Sequence, residues 1–276
     1  MNKSNYQNLA LIITNKCNLD CAHCCRGCKD KKDMSKEVID KVLSQVAIAG
    51  NLAICGGEAT LAIPTLEYLV NSIMKNKIIV EELTLTINGT NYSKELLDIL
   101  SEMNNYIKRY IKKNESSATF TISYDEYHLK EIKRLDILNQ YLENIKKYEN
   151  SIHFYGFQVL KKNKKLYREG NACLLDEKIT VPLRPMGYFV TYASNNRKFD
   201  MENGLCNIGP LVTINTDGIV TEADSSIDKQ NTIYNYGNIF EESIEEIILK
   251  KAKVLKPKSW YKSCCRESKK YKNYNK

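Results

Sequence analysis

The sequence predicts an α/β protein in which short parallel strands alternate with amphipathic helices, followed by a small C-terminal β-hairpin plus helix. Three observations carry this expectation. Apolar runs of strand length at residues 9–13, 52–55, 83–87 and 119–124 alternate with stretches of helical period. A cysteine-rich segment and a Gly-Gly-Glu segment directly follow the first two runs, at the strand ends where open α/β sheets bind ligands. From about Gly187 the apolar period shifts from 3.6 toward 2.

The elements follow in order. Residues 8–13 make a first strand and 14–33 a loop. Ser35 caps a helix to Ala49, with Ile39, Val42, Leu43 and Val46 at helical spacing and Gly50 ending it. Residues 52–55 are the second strand, and strand, helix, strand means a parallel unit with a right-handed crossover. Residues 64–75 carry Leu66, Leu69, Val70, Ile73 and Met74 on one helical face; residues 83–87 are a third strand. Ser93 opens a long helix to about Lys112, residues 119–124 are a fourth strand, 135–148 a helix and 152–160 a fifth strand. Beyond Gly187, residues 188–192, 211–214 and 219–222 read as strands, and Asp217-Gly218 between the last two is a hairpin signal. A helix over 242–255 is acidic at its start and basic at its end, as the helix dipole favours, and Pro257 stops it.

Chemistry concentrates in Cys17-Asn18-Leu19-Asp20-Cys21-Ala22-His23-Cys24, three thiols spaced by three residues and then two. Thiolates are soft ligands that select iron-sulfur clusters or zinc. Cys21, Cys25 and Cys28 repeat the same spacing, and Cys21/Cys24 and Cys25/Cys28 are each acceptable zinc pairs. Gly56-Gly57-Glu58 lies about 30 residues on; its glycines permit close backbone approach to a ligand, and its carboxylate can accept from an ammonium group. Later strand ends carry Asn88-Gly89-Thr90-Asn91 and Ser123-Tyr124-Asp125-Glu126-Tyr127-His128. His128 is a candidate general base, or a capped surface residue at a helix start. Arg168, before Gly170, has the planar fork suited to a carboxylate, or is a surface residue.

The segment from Ile12 to Cys24 resembles the signature of the radical S-adenosylmethionine (radical SAM) enzymes. The resemblance implies a [4Fe-4S] cluster held by Cys17, Cys21 and Cys24, with the fourth iron left open to chelate SAM. His23 matches the aromatic residue the family usually has before its third cysteine; the second register offers Gly27 there. Gly56, Gly57 and Glu58 resemble the family's segment that holds SAM's amino group, with Ala59 where proline is usual. Asn88, Ser123, Asp125 and Arg168 become candidate SAM contacts, and residues 1–185 a partial parallel (βα) barrel.

Residues 186–276 resemble a degenerate SPASM/Twitch extension, through Cys206-Asn207-Ile208-Gly209, the Asp217-Gly218 hairpin, Tyr236-Gly237-Asn238-Ile239 and Cys264-Cys265. The cysteine that usually follows the hairpin is absent from residues 221–226, which excludes a full two-cluster domain. Cys173, Cys206, Cys264 and Cys265 remain candidate ligands for one auxiliary iron-sulfur cluster. The resemblance implies hydrogen-atom abstraction from a ribosomal peptide or protein side chain. The alternative is a small-molecule dehydrogenase or epimerase, and an electron donor such as flavodoxin or ferredoxin is implied as partner.

Composition bounds these readings. At 276 residues the chain can bury one sizeable core plus a small subdomain, and 43% hydrophobic with 27% charged residues excludes global disorder. The start lacks a signal-peptide pattern, and no window reaches about 18 apolar residues, so a cytoplasmic protein without a membrane partner is expected. Ten cysteines, some adjacent, suit reduced thiols and metal better than disulfides. A net charge of +8 could attract nucleic acid or an acidic substrate, but lysine is spread throughout and gathers in residues 269–276, as on a solvated surface. A non-catalytic metal-binding module on nucleic acid is the reading from another class; it needs no Gly56-Gly57-Glu58 and predicts strongly salt-sensitive binding. Nucleic acid is not expected as a partner.

Overall fold

A computed structural model describes residues 3–27, 30–110, 117–131, 135–148, 152–158, 165–167, 169–181, 189–192, 206–209, 211–221, 235–250 and 253–254. The first half alternates strand and helix: β1 (Ser4–Thr14), α1 (Lys36–Leu43), β2 (Val46–Gly56), α2 (Ile63–Lys75), β3 (Ile79–Ile87), α3 (Lys94–Tyr110), β4 (Ala118–Ser123), α4 (Glu126–Glu131), α5 (Leu135–Ile145) and β5 (His153–Gln158). There follow β6 (Leu166–Tyr167), a 3-10 turn (Gly170–Leu174), β7 (Thr180–Val181), β8 (Phe189–Tyr192), β9 (Cys206–Gly209), β10 (Val212–Ile214), β11 (Ile219–Thr221), β12 (Asn235–Asn238), α6 (Ile244–Leu249) and β13 (Lys253–Val254).

Strands β1 to β5 lie side by side in chain order and all parallel, the open sheet of a partial barrel. Their alternation separates two faces. Leu9, Leu11 and Ile13, with Leu52, Ile54, Leu83, Leu85, Ile87, Phe120 and Ile122, belong to one core with Ile39, Leu66, Leu69, Leu100 and Met103 of the helices. The opposite face carries polar side chains on β2 to β4, where Thr84 donates to Asn51 Oδ1 at 3.1 Å and the Thr86 and Thr121 hydroxyls meet at 3.0 Å.

The other edge of β1 is covered by the C-terminal third. β9 pairs with Asn5 and Tyr6, and β10 with Leu9 to Leu11, both parallel; the β10–β11 hairpin and β12 continue the sheet outward. The hairpin-plus-helix unit therefore extends the barrel sheet, and β1 becomes a central strand.

Two helices are shorter than expected. The first ends at Leu43, because residues 46 to 49 pair with β1 on one side and, from Ile48, with β3 on the other. Val46 thus serves a strand, and Gly50 lies inside β2 where a Cβ would come within 2.8 Å of Gln7 O. The expected helix over 242–255 covers only Ile244–Leu249, started by a Ser243/Glu246 capping box, and Lys253 and Val254 pair with β8. Ser35 caps α1 as expected, its hydroxyl accepting from Val38 N at 3.2 Å.

Candidate functional site

The cysteine loop leaves the carboxyl end of β1, and its two ends are tied together. Asn15 N donates to Lys32 O at 2.7 Å, Met34 N to Ile13 O at 2.8 Å, and the Thr14 hydroxyl to Asp33 Oδ1 at 2.6 Å. Lys16 pairs with Asp33 at 2.5 Å. Within the loop Cys24 N donates to Cys21 O at 3.0 Å, a tight turn that brings two of the thiol-bearing residues together, and Leu19 N lies 3.5 Å from Cys17 Sγ. None of Cys17, Cys21 and Cys24 is in a disulfide, and the middle one is buried.

Gly56-Gly57-Glu58 runs along the base of this loop. Gly57 N donates to Thr14 O at 2.8 Å and Glu58 N to Lys16 O at 2.7 Å. A side chain at Gly56 would collide with the Thr14 carbonyl, one at Gly57 with that of Lys16, and Gly56 has φ +143°. The glycines are there because two backbones touch. The Glu58 carboxylate points inward: Oε1 accepts from Thr60 N at 3.1 Å and the Thr60 hydroxyl at 2.6 Å, and Oε2 from Asn88 N at 2.7 Å. Burial pushes its pKa up, against those hydrogen bonds. Glu58 thus ties the end of β2 to the end of β3. Asn88 passes the connection on, its Nδ2 donating to Asn18 Oδ1 at 2.9 Å, while Asn18 Nδ2 reaches the Thr90 hydroxyl at 2.6 Å.

A ring cluster stands on the β4 side. His23 stacks on Tyr127 at 4.5 Å between centroids and meets His128 edge-on at 5.0 Å. Asp125 begins α4, Oδ1 accepting from Tyr127 N and His128 N at 3.0 Å each, and its Oδ2 lies 2.8 Å from His128 Nδ1. His23 Nε2 is 3.7 Å from the same Oδ2. Burial lowers the His23 pKa, and Asp125 offsets this only in part. A ring nitrogen of each histidine and Cys21 Sγ lie within 4.8 Å of one another. Ser123 is buried at the end of β4.

Several residues the sequence reading passed over complete the site. Arg26, buried, donates to Asn15 Oδ1 at 2.9 Å and Asn215 Oδ1 at 3.3 Å, and Asn15 Nδ2 donates to the Thr216 hydroxyl at 3.2 Å. Lys32 pairs with Asp217. The turn of the β10–β11 hairpin is therefore bolted to the cysteine loop. On the opposite flank Asn171 binds the backbone of Cys21 and Cys24. The one local signal for these contacts was Gly27 and Gly170, each with positive φ and packed against the other. Cys173 is exposed on the 3-10 turn, and Cys206 begins β9. Arg168, Cys28, Cys264 and Cys265 lie outside the described residues.

The chemistry of this donor set fits a metal cluster. Three cysteines outside any disulfide share one loop, the backbone at Gly56 and Gly57 packs directly beneath it, and His23 Nδ1 is buried with no hydrogen-bond partner among the described residues. Three thiols on one loop at the carboxyl ends of a parallel half-barrel suit the class of proteins that hold a metal cofactor at their strand ends. The sequence profile of the Radical SAM superfamily matches residues 11–160, more than half of the chain, and the protein belongs to that superfamily. A [4Fe-4S] cluster and SAM are accordingly its cofactors.

No curated protein matches the sequence. Among solved structures, native anSMEcpe with bound AdoMet and Cp18Cys peptide superposes with TM-score 0.54 at 16% identity, over 88% of this chain and 80% of that one. Streptococcus suis SuiB, bound to precursor peptide SuiA, gives TM-score 0.41 at 12% identity over 88% of this chain and 64% of its own. SuiB alone gives 0.40 at 11% identity, over 88% and 65%. The chain thus spans somewhat less than two thirds of the length of SuiB. Among the described residues no helix is long and apolar enough to cross a membrane.

Proposed function

We propose that this enzyme cleaves SAM reductively and abstracts a hydrogen atom from a peptide or protein side chain held over the polar face of the sheet. The observation that carries the reading is the contact between two motifs. The loop bearing Cys17, Cys21 and Cys24 and the Gly56-Gly57-Glu58 segment hydrogen-bond to each other at the strand ends.

Once bound and reduced, the cluster would supply the electron for the reductive cleavage of SAM, and the adenosyl half of SAM would supply the hydrogen-abstracting group. The chain's own residues divide the remaining work. Cys17, Cys21 and Cys24 hold the cluster. The backbone at Gly56 and Gly57, packed beneath the cysteine loop, offers carbonyls to SAM's ammonium group, while Glu58, committed to Thr60 and Asn88, keeps that backbone in place. His23, backed by Tyr127, presents a ring face for the adenine. Ser123 stands at the strand end for the ribose. Asp125 acts through His128, which it orients, and His128 serves as the candidate proton acceptor beside the site. Arg168 and an auxiliary cluster on Cys173, Cys206, Cys264 and Cys265 belong to the same reading, as does a division at residues 185/186 between core and SPASM/Twitch-like extension.

A peptide substrate is supported by the sheet face opposite the helices, where Asn51, Thr84, Thr86 and Thr121 carry amide and hydroxyl groups that suit peptide backbone. The fold match anSMEcpe carries a peptide in its structure. The electron comes from a small carrier such as flavodoxin or ferredoxin, and a net charge of +8 favours an acidic one.

The test is anaerobic reconstitution with iron and sulfide, then dithionite and SAM, with 5'-deoxyadenosine quantified. Wild type should form it, and the triple variant Cys17→Ala, Cys21→Ala, Cys24→Ala should not. A wild type that binds zinc and releases no 5'-deoxyadenosine would sink the proposal.

A further inference from the structure

The 3-10 turn Gly170–Leu174 lies about 150 residues beyond the cysteine loop, yet it grips that loop by the backbone of its candidate ligands. Asn171 makes three hydrogen bonds there. Its N–H donates to Cys24 O at 2.9 Å, and its Nδ2 donates to Cys21 O at 3.1 Å and Asp20 Oδ1 at 3.0 Å. Gly170 makes the approach possible: a Cβ there would stand 2.5 Å from Gly27 N and 2.6 Å from the carbonyl oxygens of Cys24 and Cys25. Its φ of +52° is in the left-handed region that glycine adopts freely.

We propose that Asn171 is a positioning residue for the iron-sulfur cluster, setting the peptide planes on which the thiolates of Cys21 and Cys24 are carried. The argument is geometric. A peptide group is planar and trans, so its carbonyl and the following N–H point in opposite directions. Holding the carbonyls of Cys21 and Cys24 against Asn171 turns the N–H groups of Ala22 and Cys25 away from the turn. Cluster potentials depend on hydrogen bonds to sulfur and on solvent exposure. Residues that orient metal ligands from outside also govern how firmly the metal is held. One asparagine contacting two of three ligand residues is placed to do both.

The inference rests on the cluster reading above, and its test separates the two. Full-length wild type, Asn171→Ala and Asn171→Asp are reconstituted anaerobically. Iron and acid-labile sulfide per chain, the rate of iron loss to a chelator, and the EPR spectrum of the dithionite-reduced protein with and without SAM are then compared. Far-UV circular dichroism establishes that each variant is folded. Asn171→Ala keeps the backbone N–H and loses only the side-chain donor. Asn171→Asp puts a carboxylate against the Cys21 carbonyl and the Asp20 carboxylate. The expected order of iron retention is wild type, then Ala, then Asp, with Asp losing iron at least about tenfold faster, the low end for a lost outer partner. The EPR signals of both variants should be altered. A folded Asp variant with wild-type iron content, chelator resistance and EPR spectrum overturns the assignment and leaves the cluster reading standing. A wild type that takes up no iron and sulfide overturns both.

Discussion

At the scale of single residues, several of the buried polar side chains of the site are held by fixed hydrogen-bond partners. Glu58 is the clearest: a carboxylate 1% exposed, with both oxygens engaged. Glu58→Gln replaces an acceptor facing Asn88 N or Thr60 N with a donor, so the variant should lose about 1–3 kcal/mol in urea unfolding. Wild-type stability would mean that the carboxylate does not hold the strand ends. Tyr141 plays a parallel part behind the β3 strand end. Its hydroxyl accepts from Ser93 N at 3.0 Å and donates to Asn91 O at 2.7 Å, and burial pushes its phenol pKa well up. Removing the hydroxyl in Tyr141→Phe leaves a buried N–H unpaired, and a loss of about 1–2 kcal/mol is expected from thermal unfolding.

At the scale of elements, the controlling contact is the one between the Gly-Gly-Glu segment and the cysteine loop. Gly57→Ala drives a methyl group into the Lys16 carbonyl, which has no room to yield because Glu58 N is bonded to that same oxygen. Overpacking of this kind costs about 1–3 kcal/mol. The displaced strand end should also lower SAM binding, read by isothermal titration on the reconstituted protein. Unchanged affinity would remove this backbone from the SAM site. The same contacts show why local period overran at α1. Ile39, Val42, Leu43 and Val46 do share a helical face, but residues 46 to 49 gain hydrogen bonds to two neighbouring strands, and sheet pairing outweighs period.

At the scale of the molecule, β1 is central only because the C-terminal third covers its second edge, and the hairpin turn is locked to the cysteine loop through Asn15, Arg26, Asn215 and Thr216. A chain ending at residue 185 would expose the β1 edge, and unpaired hydrophobic edges associate. Such a chain should elute as oligomer or aggregate on gel filtration; a stable monomer would show that the extension is dispensable to the barrel. Arg26→Met should weaken the lock by leaving the two asparagine oxygens without this donor, a loss of about 1–3 kcal/mol in urea unfolding, and unchanged stability would show that the lock does not hold the loop.

The sequence by itself determined the elements that depend on near neighbours: the alternation of strands and helices, the caps at Ser35 and Ser93, the Asp217-Gly218 hairpin, and the thiol and glycine motifs. Each is written in residues a few positions apart, where spacing and backbone preference act directly. Tertiary structure alone decided what surrounds the thiols. Asn15 and Thr216 are 201 positions apart, Arg26 and Asn215 are 189, and Asn171 and Cys21 are 150. No periodicity links such residues, since an asparagine reads as a turn or surface residue until the fold brings a buried carbonyl or guanidinium to it. Glu58 shows the same division: its motif was legible at once, but the inward turn of its carboxylate toward Asn88 depended on which strand lay beside it.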